Sequence, residues 1–266
     1  MLRKPLAVSI AAVSMLLSLA CGGGEQAPSA GAEAGAEAPA ATAAEEINPA
    51  TLADAGNITG TIQFTGNAPE MQVIQMAADP YCLSKHQNEN VTSQRVVVNA
   101  NGSLRYVFVY VKEGLEGKTF PVPSEPVEID QTGCMYAPHM LGIQVGQTLK
   151  VVNNDDTLHN VNVQPANNEG FNVGQPIPGM AEERTFQNPE IMIPVKCDVH
   201  PWMSAFIGVL DNPYFAVSAD DGSFSLDGLP PGDYVIEAWH ESFGTQTQNV
   251  TVAANQTAEI SFTFGS

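Results

Sequence analysis

The stretch Cys197-Asp198-Val199-His200-Pro201-Trp202-Met203 places a thiolate, an imidazole and a thioether within one short loop. That donor set suits a copper ion cycling between Cu(I) and Cu(II). Sulfur ligands favour soft Cu(I), and imidazole serves both oxidation states. A trigonal copper site takes one Cys, two His and a weak axial Met, so the loop lacks only a second His. His159 offers it, within Val151-Val152-Asn153-Asn154-Asp155-Asp156-Thr157-Leu158-His159-Asn160-Val161. A β-branched pair leads into a polar turn, and His159 opens an alternating run, which reads as strand, turn, strand. A lone Cys-x2-His would equally fit a zinc site or a structural role. Zinc wants four firm N, S or O ligands, and Met is a poor one. The combined pattern of His159, Cys197, His200 and Met203 therefore points to a single copper ion.

The two segments resemble the ligand loops of the cupredoxins, the small blue copper proteins. The Cys-x2-His-x2-Met loop with Pro after its His is most similar to that of amicyanin. The resemblance runs from about Val127 to Asn212. It implies a type 1 centre with His159, Cys197 and His200 equatorial and Met203 axial. It also implies that Asn160 ties the two ligand loops together by hydrogen bonds. In the amicyanin loop Pro stands two residues after the Cys; here that residue is Val199, so a backbone N–H is available to the thiolate. A further hydrogen bond to the sulfur stabilises the reduced site and raises the potential. The resemblance further implies that the edge of His200 lies at the surface within an apolar docking patch. Pro201, Trp202 and Met140 are the candidates for that patch, with Pro138 and Leu141 beside them.

Cys82 and Cys134 lie in Asp79-Pro80-Tyr81-Cys82-Leu83-Ser84-Lys85-His86 and Gly133-Cys134-Met135-Tyr136-Ala137-Pro138-His139. In an oxidising compartment two such cysteines pair, and a Cys82–Cys134 disulfide is the first expectation. The Cys-x3-His and Cys-x4-His spacings also admit a second metal site built from Cys82, His86, Cys134 and His139. His240 follows Trp239 at the end of a strand pattern and reads as structural.

The N-terminus carries Arg3 and Lys4 and then an apolar run from Leu6 to Ala20. That is an export signal, too short for a membrane span. Leu19-Ala20-Cys21-Gly22 looks like a bacterial lipoprotein cleavage site, making Cys21 the lipid anchor; Ser18 departs from the larger apolar residue usual there. Gly22 after the anchor is similar to lipoproteins sent to the outer membrane. Residues 21–50 are rich in Ala, Gly and Glu and form a disordered tether with a reach of roughly 25–30 Å. The head would then face the periplasm or the cell surface, attached to the membrane through lipid alone.

The formal charge is −19, and −21 once Arg3 and Lys4 leave with the signal. Phosphate binding needs clustered Lys and Arg, so nucleic acid is not an expected partner. An acidic surface suits a basic redox protein such as a c-type cytochrome. The sequence carries no serine nucleophile elbow, phosphate-binding Gly loop or carboxylate pair in a catalytic setting, so an electron carrier and not an enzyme is expected. A copper carrier or buffer using the same ligands, and a non-redox adhesion or glycan-binding lipoprotein, are the alternatives.

Strand signals dominate the rest. They include Ile58–Phe64, Arg95–Val98 and Leu104–Val111, with Asn101-Gly102 as a hairpin turn between the last two. Only Asp79–Gln87 suggests a helical turn. From about Tyr214, Asp220-Asp221-Gly222-Ser223-Phe224-Ser225-Leu226, Gly228-Leu229-Pro230-Pro231-Gly232-Asp233-Tyr234 and the strands around Trp239 and Ile260 resemble a carboxypeptidase regulatory-like, or transthyretin-like, β-sandwich. The fold class is all-β: a cupredoxin Greek-key sandwich plus a second small sandwich. The expected division is signal 1–20, tether 21–50, N-terminal β segment 51–125, copper domain 126–212 and regulatory-like module 213–266. Segments 51–125 and 213–266 are expected to share one sandwich, with the copper domain inserted between them.

Overall fold

The computed structural model describes residues 44–87 and 89–265. The signal, Cys21 and most of the tether lie outside the described residues. The tether stops short of residue 50: Glu45–Glu46 pairs in parallel with Lys118–Thr119, and Ile47 is buried. An isoleucine beside a strand edge gains more from burial than from solvated coil.

The architecture is all-β, with one short helix, Pro80–Lys85, among the described residues. Two pairs of sheets each enclose a core. On the candidate metal side, which carries His159, Cys197 and His200, a five-stranded sheet runs in the order Phe171–Gln175, His159–Val163, Glu190–Lys196, Ser204–Leu210, Met140–Gln144. It faces a four-stranded sheet ordered Ala181–Thr185, Thr148–Asn153, Val127–Thr132, Met135–Ala137. Alternation sends Ile129, Ile143, Leu149, Val151, Val161, Val195 and Ile207 into the space between, all at most 1% exposed.

The second pair joins the early and late parts of the described residues. Gly56–Thr65 is the central strand of its sheet, antiparallel to Ser223–Leu229 and parallel to Thr257–Gly265. Phe108–Glu113 pairs with Phe215–Val217 and with Gly232–His240, which in turn pairs with Gly244–Val252. Ile58, Ile62, Val109, Leu226, Ile236 and Phe262 fill this core. The metal-side strands thus lie between two stretches of chain that hydrogen-bond to each other.

Two glycines make the joint between the sandwiches. Gly142 and Gly208 are register neighbours on adjacent parallel strands. A Cβ at Gly142 would come within 2.2 Å of the Phe215 ring, and one at Gly208 within 2.4 Å of Phe108. Their absence of side chain leaves a flat place on the sheet where Phe108 and Phe215 stack, centroids 5.9 Å apart.

The strand expected over Arg95–Val98 is not formed. The Asn101-Gly102 turn is present, with Gly102 at φ 81°, but it closes a single bridge, Val98 with Leu104. Tyr106 stands at φ 56°, which breaks the run expected over Leu104–Val111, and the regular strand begins at Phe108.

Candidate metal centre

The turn between Thr148–Asn153 and His159–Val163 is built by side chains. Asn153 is fully buried; its amide donates to Thr157 O at 3.0 Å and Gln175 O at 2.8 Å, and its Oδ1 accepts from the Asp155 N–H at 2.9 Å. An Asn that pairs locally with turn backbone fixes that turn's shape. The Asp155 carboxylate is thereby aimed inward. It accepts from the Gly133 and Cys134 N–H groups at 2.9 and 2.6 Å and faces His159 Nε2 at 3.0 Å. Gly133 and Cys134 present those amides because both take positive φ, 59° and 57°, in a two-residue hairpin turn.

The second ligand loop closes on itself. The Cys197 N–H donates to Met203 O at 3.3 Å and the Met203 N–H to His200 O at 2.9 Å. Asn160 joins this loop to the first: its Oδ1 accepts from the Asp198 N–H at 2.6 Å, and its amide donates to Asp198 Oδ2 at 3.0 Å.

These two loops bring His159, Cys197 and His200 together. Their ligand atoms all lie within 4.8 Å of one another, with Nδ1 of His159 2.9 Å from Nδ1 of His200 and Cys197 Sγ 3.8 Å from the latter. Metal bonds of about 2.0 Å to nitrogen and about 2.3 Å to sulfur, meeting at one ion, span separations of that size. All three are sealed: His159, His200 and Cys197 are 0, 2 and 3% exposed. Met203 is buried in the same apolar core as Cys197.

The chemistry of the donors fits a metal. His159 Nε2 faces Asp155, and His200 Nε2 faces Asp79 Oδ2 at 3.0 Å, so each Nε2 can carry the proton and leave Nδ1 free to bind. Burial works to raise the Cys197 thiol pKa. Hydrogen bonds from His159 and from the Asn160, His200 and Val199 amides outweigh it and lower the pKa. Burial alone would lower the His159 pKa, but Asp155 and Cys197 raise it to about 9. An incoming metal must displace that proton.

Several expected placements change. The His200 edge is not at the surface: Asp79 and the nearby Cys82 Sγ, 3.7 Å from Nε2, cover it. Met140 cannot line a docking patch, because it is 2% exposed and packs with Phe108 and Leu210 at the joint between sandwiches. Trp202 is half-buried and its indole N–H donates to Cys134 O at 3.0 Å; Pro201 is exposed. The expected Val199 amide is one of three at the thiolate: the His200 N–H donates to Cys197 Sγ at 3.4 Å, the Asn160 amide also acts on it, and the Val199 N–H is shared with Asn160 Oδ1, 3.4 Å away. Cys82 and Cys134 are joined by a disulfide, so neither offers a thiolate to a second metal. His86 instead meets Gly133 O, and His139 lies between Ser204 O and Glu241.

Asp79 and Asp155 are the site residues that sequence reasoning missed. Asp79 reads as a helix cap before Pro80, and Asp155 as a turn former. The one available signal was Asp155 standing four residues before His159.

Residues 205–265 match the carboxypeptidase regulatory-like domain family. The match begins inside Ser204–Leu210, a strand that hydrogen-bonds in the metal-side sheet. Among solved structures the chain is similar to a copper-containing nitrite reductase from Thermus scotoductus SA-01, at 25% identity over 35% of this chain and 24% of that one, TM-score 0.31. It is also similar to the Cu(I) form of an amicyanin variant, at 21% identity over 33% of this chain and 85% of that one, TM-score 0.29. A purple cupredoxin from Nitrosopumilus maritimus is similar at 24% identity over 31% and 98%, TM-score 0.27. The chain spans about a quarter of the length of the nitrite reductase. A comparison with curated proteins finds no match.

Proposed function

We propose that this chain is an exported, lipid-anchored copper protein that carries single electrons and is not itself an enzyme. His159 Nδ1, His200 Nδ1 and Cys197 Sγ would hold the ion, with Met203 as the weak fourth ligand. Copper bound there would supply one-electron redox chemistry between Cu(I) and Cu(II). The observation that carries this reading is the convergence of two Nδ1 atoms and one Sγ with both outer imidazole nitrogens facing a carboxylate.

The chain's own part is to hold these donors still. Asn160 locks loop to loop, Asn153 locks the turn, and the apolar core around Cys197 keeps water out. A rigid, dry donor set serves both oxidation states with little rearrangement. A copper carrier would need ligands that a recipient can reach, and exposures of 0–3% favour a resident ion instead.

With the His200 edge covered, partner contact falls to the exposed residues next to the ligands. Leu158 and Val199 are each 44% exposed, and Pro201 is exposed beside them in sequence. The acidic surface favours a basic redox protein, for which a c-type cytochrome has the right charge. Anchoring through Cys21, in the outer membrane and facing the periplasm or cell surface, would keep the head near such partners. The test is the absorption and electron paramagnetic resonance spectrum of copper-loaded protein beside Cys197→Ser. An intense thiolate-to-copper band lost in the variant supports the reading. A colourless, redox-silent wild type overturns it.

A further inference from the structure

The connection from Gly56–Thr65 to Phe108–Glu113 leaves and re-enters the second sandwich, but between those strands it packs against the candidate metal centre, with Met76 and Cys82 in the same core as Cys197. Three contacts pin it there besides the Cys82–Cys134 disulfide. Tyr81 OH donates to Asp155 Oδ1 at 3.2 Å, His86 Nε2 meets Gly133 O at 2.8 Å, and Thr157 Oγ1 donates to Asp79 Oδ2 at 3.0 Å. Asp79 is held from its other side by the helix it caps, with Oδ1 accepting from the Tyr81 and Cys82 N–H groups at 2.8 and 3.3 Å. Both carboxylate oxygens are thus fixed, and Oδ2 lies 3.0 Å from His200 Nε2.

We propose that Asp79 is a positioning residue of the metal centre, delivered by this disulfide-pinned strap. It keeps the proton of His200 on Nε2 and so frees Nδ1, closes the ring edge against solvent, and places a negative charge behind a ligand. The first two effects follow from geometry alone; the third rests on the copper reading. A fixed negative charge stabilises Cu(II) over Cu(I), so Asp79 lowers the potential.

Asp79→Asn keeps the shape but removes the charge and one of the two acceptor oxygens, so it gives up either the helix cap or the contact with His200. Asp79→Ala removes the charge and both oxygens, while the disulfide still holds the strap. In the metal-free full-length chain, labelled with 15N-histidine, the His200 Nε2–H resonance should exchange slowly in wild type. It should exchange at least tenfold faster in Asp79→Ala. In copper-loaded protein both variants should show a raised potential with the visible band retained. Release of copper to a chelator should accelerate at least tenfold in Asp79→Ala. Fast Nε2–H exchange in wild type overturns the positioning role. Unchanged potentials in both variants, with the band intact, overturn the electrostatic role. If wild type shows no thiolate-to-copper band, the copper reading fails, and the metal-free exchange rates still decide whether Asp79 holds His200.

Discussion

At the scale of single residues, the candidate centre is shaped by groups one step behind the three converging side chains. The convergence of His159, Cys197 and His200 was legible: two of them share one loop with Met203, and His159 follows a turn with strand patterns on both sides. Asp79 and Asp155 were not legible, because a carboxylate that caps a helix or shapes a turn gives no sign in sequence of what its other oxygen touches. Val199 was legible as a donor, but not that Asn160 would compete for its N–H. That amide still helps hold the Cys197 thiol pKa down. Val199→Pro removes it, and one modest hydrogen bond is worth about 0.5–1.5 kcal/mol, or roughly 20–60 mV for one electron. The variant should show a potential lower by about that amount in protein-film voltammetry. An equal or higher value counts against a role for this amide.

At the scale of elements, the strand pattern was mostly legible and its interruptions were not. Leu104–Val111 has the composition of one strand, yet Tyr106 takes positive φ and ends the regularity. Met140 shows the same limit. Its strand was expected beside a solvent-facing patch, but the joint made by Gly142, Gly208 and the Phe108–Phe215 stack buries it. A contact between two sandwiches leaves no periodic trace in either. His240, ending the strand Gly232–His240, was read as structural, and its surroundings carry a pH consequence. It is 1% exposed and stacks on Phe243 with centroids 4.8 Å apart. Burial lowers its pKa to about 4, against an opposing pull from Glu241. The folded state therefore resists a proton that the unfolded chain accepts below about pH 6.5. The stability contributed by neutral His240 is complete above that pH and is lost as pH falls toward 4, up to about 3 kcal/mol. Urea unfolding at pH 7 and pH 4.5 should show a larger acid loss in wild type than in His240→Phe. Equal losses would assign the acid sensitivity elsewhere.

At the scale of the whole molecule, the metal-side sandwich is held between the early and late parts of the described residues and clasped by the strap. The pairing of Gly56–Thr65 with Thr257–Gly265 was anticipated from how the tail module begins, while its parallel sense was not. The Cys82–Cys134 disulfide spans 52 residues and joins the strap to the hairpin that supports Asp155. Closing a loop of that length in the unfolded chain stabilises the fold by about 4 kcal/mol. The Cys82→Ser, Cys134→Ser double variant should lose about that much in denaturant unfolding of the metal-free chain. A loss under about 1 kcal/mol would mean that the strap is held without the disulfide, by its hydrogen bonds and by the packing of Ile74, Met76 and Tyr81. The candidate centre therefore takes its cover from a strap that leaves the second sandwich and packs in the core of the first, with Met76 and Cys82 buried there.

The most direct test of the central claim is the visible and electron paramagnetic resonance spectrum of the full-length chain titrated with Cu(II). The account predicts one equivalent bound, an intense blue thiolate-to-copper absorption that bleaches reversibly on one-electron reduction, and loss of that absorption in both Cys197→Ser and His159→Ala. Weak absorption unaffected by Cys197→Ser, or copper binding that leaves the protein unable to take up and return an electron, would contradict it.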